Sequence, residues 1–281
     1  MSDPVRAIFS DWSPPLGQTL TILVAAAIYL HGWLLIRRTR RAQFTDLRLF
    51  AFLSGLAILW LATASPLDGF ADALLTAHMV EHLLLMSAIP MLLLYGSPVV
   101  PLLRGLPAPI TRLVLGPLLR LRALRSFAHW LVSPAIAWLA MNVAYLAWHV
   151  PAAYDLALEN ETVHGVEHLC FLGTSLLFWW TIFRPWPARP HPADWGSLLY
   201  LALSDIVMTM LSGFLTFCDR PVYPFYVNHP NPFGLPVLED QVLGAVVMWV
   251  LGSFAFLVPA MIITVRLLSP SHERKVASHR S

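Results

Sequence analysis

The stretch Ala71-Asp72-Ala73-Leu74-Leu75-Thr76-Ala77-His78-Met79-Val80-Glu81-His82-Leu83-Leu84-Leu85-Met86-Ser87-Ala88-Ile89-Pro90-Met91-Leu92-Leu93-Leu94-Tyr95 sets two histidines and a glutamate inside an apolar run. About 20 apolar residues cross a hydrocarbon core, so the run is long enough to span a bilayer. Its motif His78-Met79-Val80-Glu81-His82-Leu83 returns as His164-Gly165-Val166-Glu167-His168-Leu169, again in an apolar run. An acid at the centre of a membrane helix costs roughly 2.5–3.5 kcal/mol on insertion scales, and such residues persist where they face protein and bind or move something. Residues four apart share a helix face, so each motif can aim both imidazoles at one point, with its glutamate beside them. Two such helices facing each other make a metal or haem site inside the membrane.

Composition extends this reading to the whole chain. Of 281 residues, 57% are hydrophobic and 12% charged, far below the quarter-charged soluble average. Seven runs are long enough to cross, near 16–36, 47–64, 71–95, 130–150, 161–183, 196–218 and 238–267. Lipid cannot satisfy exposed backbone groups, so the expected fold is an all-α polytopic bundle forming a single membrane domain. Arg37, Arg38, Arg40, Arg41 and Arg48 follow the first run, and Arg104, Arg112, Arg120, Arg122 and Arg125 follow the third. Arg184 and Arg189 follow the fifth, and Arg266, Arg274, Lys275 and Arg280 close the chain, leaving Arg6 and Arg220 for the other side. The positive-inside rule then places the N-terminus outside and the C-terminus in the cytoplasm. The net charge of +2 reflects these link arginines and does not point to nucleic acid.

The first run lacks a small-residue cleavage site and reads as an uncleaved span. Cys170 and Cys218 are too few for a disulfide framework and read as buried free thiols. The long link 96–129 alternates leucine with arginine through Leu118-Leu119-Arg120-Leu121-Arg122, a pattern that suits an interfacial helix resting on anionic lipid. The link 219–237 holds five prolines with Tyr223, Tyr226, His229 and Phe233, and reads as a stiff cover. His31, His129, His191, His272 and His279 fall at the inner side or in the tail.

With this topology His78, His82, His164 and His168 lie in the outer halves of spans three and five, at about 1.5 Å of rise per residue. Span four ends at His149, on a stripe with Trp138, Asn142 and Tyr145. Span six carries Asp205, Met208, Thr209, Ser212 and Thr216 on one face, and span seven opens with Glu239-Asp240-Gln241, then Gly244, Met248 and Gly252. Glu81 and Glu167 read as partners that orient imidazoles, as do Asn142, Tyr145, Asp205, Asp240 and Gln241 at greater remove. Imidazole suits zinc, copper, iron or nickel, and added thioether shifts the choice toward copper. Met79, Met86, Met208 and Met248 are the candidate additional ligands, although methionines at helical spacing more often pack. His-x-x-Glu-His also matches an inverted zinc-protease motif, but a protease needs one such helix and a third ligand rather than two copies. Facing histidine pairs also suit haem, which stays open at this point.

At these residues the chain resembles the multi-span, CtaG-like assembly factors of caa3-type cytochrome c oxidase. The matching stretches are His78 to Pro90, Gly96-Ser97-Pro98, Trp148-His149-Val150-Pro151-Ala152-Ala153-Tyr154-Asp155, His164 to His168, Phe178-Trp179-Trp180, and Glu239-Asp240-Gln241 through Met248-Trp249. The resemblance implies about seven spans, a non-enzymatic role in maturing a haem–copper oxidase by handling copper, and His78, His82, His149, His164 and His168 as the metal-binding set. The expected partners are an oxidase subunit, a periplasmic copper donor and membrane lipid. A haem-binding electron-transfer protein and a copper transporter are the alternative readings.

Overall fold

The computed structural model describes residues 6, 9–10, 12–13, 15–188, 194–229 and 231–269, and no strand occurs among them. His191, His272, His279, Arg189, Arg274, Lys275 and Arg280 lie outside the described residues. The helices are α1 Leu16–Arg37, α2 Asp46–Ala64, α3 Asp68–Ala73, α4 Leu75–Met86, α5 Ala88–Tyr95, α6 Val99–Gly105 and, after a π-helical turn at Ile110–Leu115, α7 Gly116–Arg120. Then follow α8 Arg122–Leu131, α9 Pro134–Trp148, α10 Pro151–Glu159, α11 Glu161–Phe183, α12 Trp195–Phe217, α13 Pro224–Asn228 and α14 Val237–Leu268. Six units are long and apolar enough to cross a membrane: α1, α2, Leu75–Tyr95 (α4 with α5), α11, α12 and α14. The pair α8 and α9 makes a seventh if counted together, bent by 63°.

Two breaks define the third span, and both are repaired by distant side chains. Its expected start at Ala71 is displaced, because Leu74 is extended (φ −134°, ψ 125°) and α4 begins at Leu75 without a side-chain cap of its own. The first N–H groups of a helix have no partner within it. Here the Asp240 carboxylate at the start of α14 accepts from Leu75 N (2.7 Å), Thr76 N (3.0 Å) and the Thr76 hydroxyl (2.6 Å). The second break falls at Ser87 (φ −126°, ψ −81°). Pro90 has no N–H to give and its ring crowds the carbonyl four residues back, that of Met86. That carbonyl accepts from the Trp179 indole of α11 at 2.8 Å.

The fourth span is also shorter than the expected 130–150. Ser133 is extended and Pro134 occupies the first turn of α9, so the chain turns sharply there. On the near side of the bend α8 has no buried residue, and Phe127 and Trp130 stack on its exposed surface at 5.8 Å. The amphipathic stretch of the link therefore centres on Arg122–Leu131, after a break at Leu121. The start of the link is packed, because α6 lies against α1. A Cβ on Gly32 would collide with the Pro101 carbonyl, and one on Gly105 with the Ile28 carbonyl. Tyr29 of α1 stacks on Phe52 of α2 at 3.8 Å and donates to Gly96 O at 2.7 Å.

Asp240→Ala strands two backbone donors at the head of α4, the Thr76 hydroxyl keeping the Asp240 carbonyl (3.0 Å), and is expected to cost about 2–4 kcal/mol, whereas Asp240→Asn, which keeps an acceptor, costs about half as much. Thermal unfolding of the detergent-purified variants measures the order. Equal stability of Ala and wild type would remove this cap from the account.

Candidate metal centre

Helices α4 and α11 lie side by side, and each presents its motif to the other. Within each helix the i, i+4 rings meet, with centroids 4.1 Å apart for His78–His82 and 4.1 Å for His164–His168. Across the helices His78 stacks on His164 at 5.3 Å, and His82 meets His168 edge-on at 5.7 Å. The glutamates cross over: His82 Nε2 is 3.7 Å from Glu167 Oε1, and His168 Nε2 is 3.5 Å from Glu81 Oε1. Each carboxylate therefore serves the opposite helix.

Two sets of donor atoms lie mutually within 4.8 Å: His78, His82, His164 and Glu167, and Glu81, His164 and His168. An ion with ligands at about 2.0–2.2 Å needs only a modest inward movement of either set. Both nitrogens of His78 and of His82, the Nε2 atoms of His149, His164 and His168, and all four oxygens of Glu81 and Glu167 are buried without a hydrogen-bond partner. Leaving one such group unpaired costs about 1–3 kcal/mol, more when charged. A bound cation would satisfy many of them at once. Imidazole with carboxylate fits zinc, copper or iron.

His149 caps the end of α9. Its Nδ1 meets the Tyr145 carbonyl at 2.7 Å, an acceptor, so Nδ1 carries the proton and Nε2 is bare. Its ring is 6.2 Å from His82, a second layer beside the four-histidine group. Aromatic side chains close the surroundings: Phe171 is 4.6 Å from His82 and Tyr154 is 5.1 Å from His78. Tyr154 packs on Tyr223 at 4.1 Å. Tyr223 donates to the His149 carbonyl (3.5 Å) and Tyr226 to the Ala71 carbonyl (3.1 Å). Burial pushes the Tyr154, Tyr223 and Tyr226 phenols up, holding them neutral. Asp155 accepts from Phe225 N at 3.2 Å and ties this cover to α10.

On another side, a cleft of about 650 Å³ between α1, α2 and α11 reaches His164 and His168, with Asp68, Glu161, Gly165 and Gln18 on its walls. Burial, with Asp72 and Glu161 close by, raises the Asp68 carboxyl to about 7.

The remaining candidates hold helices. Gln241 accepts from Val222 N (2.7 Å) and donates to Leu215 O (3.2 Å), locking the end of α12. Asp240 caps α4, as described. Asn142 donates to Trp138 O (2.8 Å) and to Ser204 Oγ (3.2 Å), joining α9 to α12. Asp205 is half-buried on α12, its Oδ1 without a partner, and it falls in neither donor set. Met79 packs on Gly244, where a Cβ would lie 3.3 Å from its Cγ, and Met208 puts its sulfur against Gly252. Met86 and Met248 are buried. Cys170 and Cys218 are free but half-buried, more open than a core thiol.

Sequence reading did not single out Tyr154, Phe171, Asp68, Asp72 or Glu161. Tyr154 stands one turn after Pro151, in a short helix visible only once the chain is seen to fold back over His78.

Fold and centre together define a polytopic helical membrane protein with a candidate His/Glu metal-binding group between two of its spans. The chain belongs to the cytochrome c oxidase caa3 assembly factor family (CtaG), whose match covers residues 27–269. It is similar to two mycobacterial proteins, the uncharacterized proteins Mb0105 of Mycobacterium bovis and MT0111 of Mycobacterium tuberculosis. Each is 28% identical over 268 residues, covering 91% of this chain and 39% of the relative. Uncharacterized protein ML1998 of Mycobacterium leprae is 26% identical over 267 residues, covering 89% and 38%. The chain thus spans about two-fifths of the length of these relatives. No solved structure matches it.

The raised Asp68 carboxyl has a thermodynamic sign. Its folded value of about 7 lies above the ordinary 3.8, so between those values the folded state holds the extra proton. Stability from this group therefore falls as pH rises from about 4 to 7 and stays low above it. Asp68→Asn is expected to be more stable than wild type by about 1–2 kcal/mol at pH 8 and equal to it near pH 4. A gap that does not change with pH in thermal unfolding would refute this assignment.

Proposed function

We propose that this protein is a copper carrier of the bacterial inner membrane that supports assembly of a haem–copper oxidase. Its N-terminus lies outside and its C-terminus in the cytoplasm, which puts the centre beneath the periplasmic face. One observation carries the reading: in a family of oxidase assembly factors, four histidines and two glutamates meet between two spans with their donor atoms unpartnered. Copper is the cargo. Imidazoles from α4 and α11, with Glu167 or Glu81, hold it, and His149 stands beside them with a bare Nε2. The chemistry is ligand exchange, in which a periplasmic donor gives up copper and an oxidase subunit receives it, with no change of oxidation state required. The methionines serve packing in this scheme, since Met79 and Met208 are already seated on glycines of α14.

The cleft beside α11 supplies the route, and Glu161 on its wall attracts a cation ahead of binding, joined by Asp68 once that carboxyl ionises near pH 7. A copper importer is the competing reading, favoured by the same cleft.

Changing His82 or His164 to alanine is expected to lower copper affinity at least about tenfold, since losing even a group behind a ligand costs 10–100-fold. Met208→Leu leaves affinity unchanged. Metal analysis after copper loading reads both, and undiminished copper in both histidine variants sinks the proposal. Reduced copper uptake with intact oxidase activity in cells would favour the importer.

A Cβ on Gly165 meets nothing within 4 Å, so a large side chain fits there into the cleft. Gly165→Trp is therefore expected to slow copper loading several-fold without changing the final amount bound. Stopped-flow loading tests this, and an unchanged rate would move the route elsewhere.

A further inference from the structure

At the opposite, arginine-rich end lies a second cavity, of about 770 Å³. It is walled by apolar and aromatic groups such as Leu94, Phe183, Trp186 and Ile263, and Arg48, Arg184 and Arg266 line it. No carboxylate lines it among the described residues. A cavity of this size matches those that enclose a small molecule or a lipid headgroup with part of its chains.

The three arginines arrive from separate elements. Arg184 ends α11 and Arg266 lies in the last turn of α14, where helix dipoles favour a cation. Arg48 lies in the first turn of α2, where the dipole opposes one. The acid of that turn, Asp46, is taken by Arg37 at 2.6 Å outside the cavity. Arg48 gives one N–H to Ser97 Oγ (3.1 Å) and Arg184 gives its Nε to Thr181 O (3.4 Å), which leaves most of both guanidinium groups' donors uncommitted. The chain's two non-glycine residues with positive φ among those described, Ser97 (52°) and Arg184 (38°), both line this cavity. Left-handed backbone is costly for such residues and is kept where the surroundings require it. Here it turns Ser97 and Arg184 toward one space.

We propose that this cavity binds a phosphoryl group, supplied by an anionic phospholipid whose acyl chains lie along its apolar wall. Planar guanidinium forks match phosphate oxygens in pairs, and the site stands at a helix-end level where headgroups lie. A zwitterionic lipid, carrying its own cation, meets the arginines less well. The site is independent of the copper reading.

The test is native mass spectrometry of the full chain in neutral detergent with added phosphatidylglycerol, phosphatidylcholine or glycerol 3-phosphate. One phosphatidylglycerol is expected to be retained, well above phosphatidylcholine. Arg184→Gln and Arg266→Gln each reduce retention about tenfold, the loss of one charge-assisted contact. Arg266→Lys retains most of it, and Arg120→Gln, an exposed arginine outside the cavity, leaves it unchanged. Arg266 is exposed near a helix end, so its change does not threaten folding. Displacement of the lipid by equimolar glycerol 3-phosphate supports the phosphoryl site but assigns it to a soluble phosphate ester. Equal retention of both lipids, or full retention in both glutamine variants, overturns the proposal.

Discussion

Within a bilayer every backbone N–H and C=O needs a partner from the protein, and this requirement governs the span that carries the first histidine pair. The span is interrupted at Leu74 and again near Ser87 and Pro90, and each interruption exposes backbone groups. Asp240 satisfies one end and Trp179 the other, drawing α14 and α11 against α4. His78 and His82 lie between these two ties. Their height and rotation relative to α11 are therefore set by hydrogen bonds that never touch the imidazoles.

The centre has its own internal logic. Each motif supplies two imidazoles to the shared space and one carboxylate to the neighbouring helix, so neither helix completes the arrangement alone. In the aromatic cover Tyr223 and Tyr226 spend their hydroxyls on backbone carbonyls, while Tyr154, its own hydroxyl unpartnered, lays its ring against His78. A dry wall strengthens the electrostatic pull of the carboxylates on a bound cation.

Much of this was legible in the residues. Apolar run lengths located six helices closely, and helical spacing put both histidine pairs on single faces. Two kinds of feature were not legible. Periodicity tells which residues share a face but not which neighbour the face meets. Asp240 and Gln241 thus read as groups near the site, although their partners are main-chain atoms at other helix ends. Boundaries set by backbone conformation were also missed, at Leu74 and at Ser133-Pro134, because an apolar run continues through both. Tyr154 stood out only as one member of a matching stretch, and nothing in the chain set it against His78. The crossed glutamates required knowing that α4 and α11 face each other.

The sharp turn before Pro134 leaves α9 with fifteen residues, a rise of about 22 Å. A typical hydrocarbon core is about 30 Å thick. Hydrophobic mismatch of this size is met by a thinner bilayer or by protein covering the helix end. Tyr223 covers His149 from one side, while the lipid-facing flank, with Val143 and Leu146 exposed, has no such cover. Alone, α9 is therefore too short for a typical core, and it is long enough to cross only when the bent α8 is counted with it.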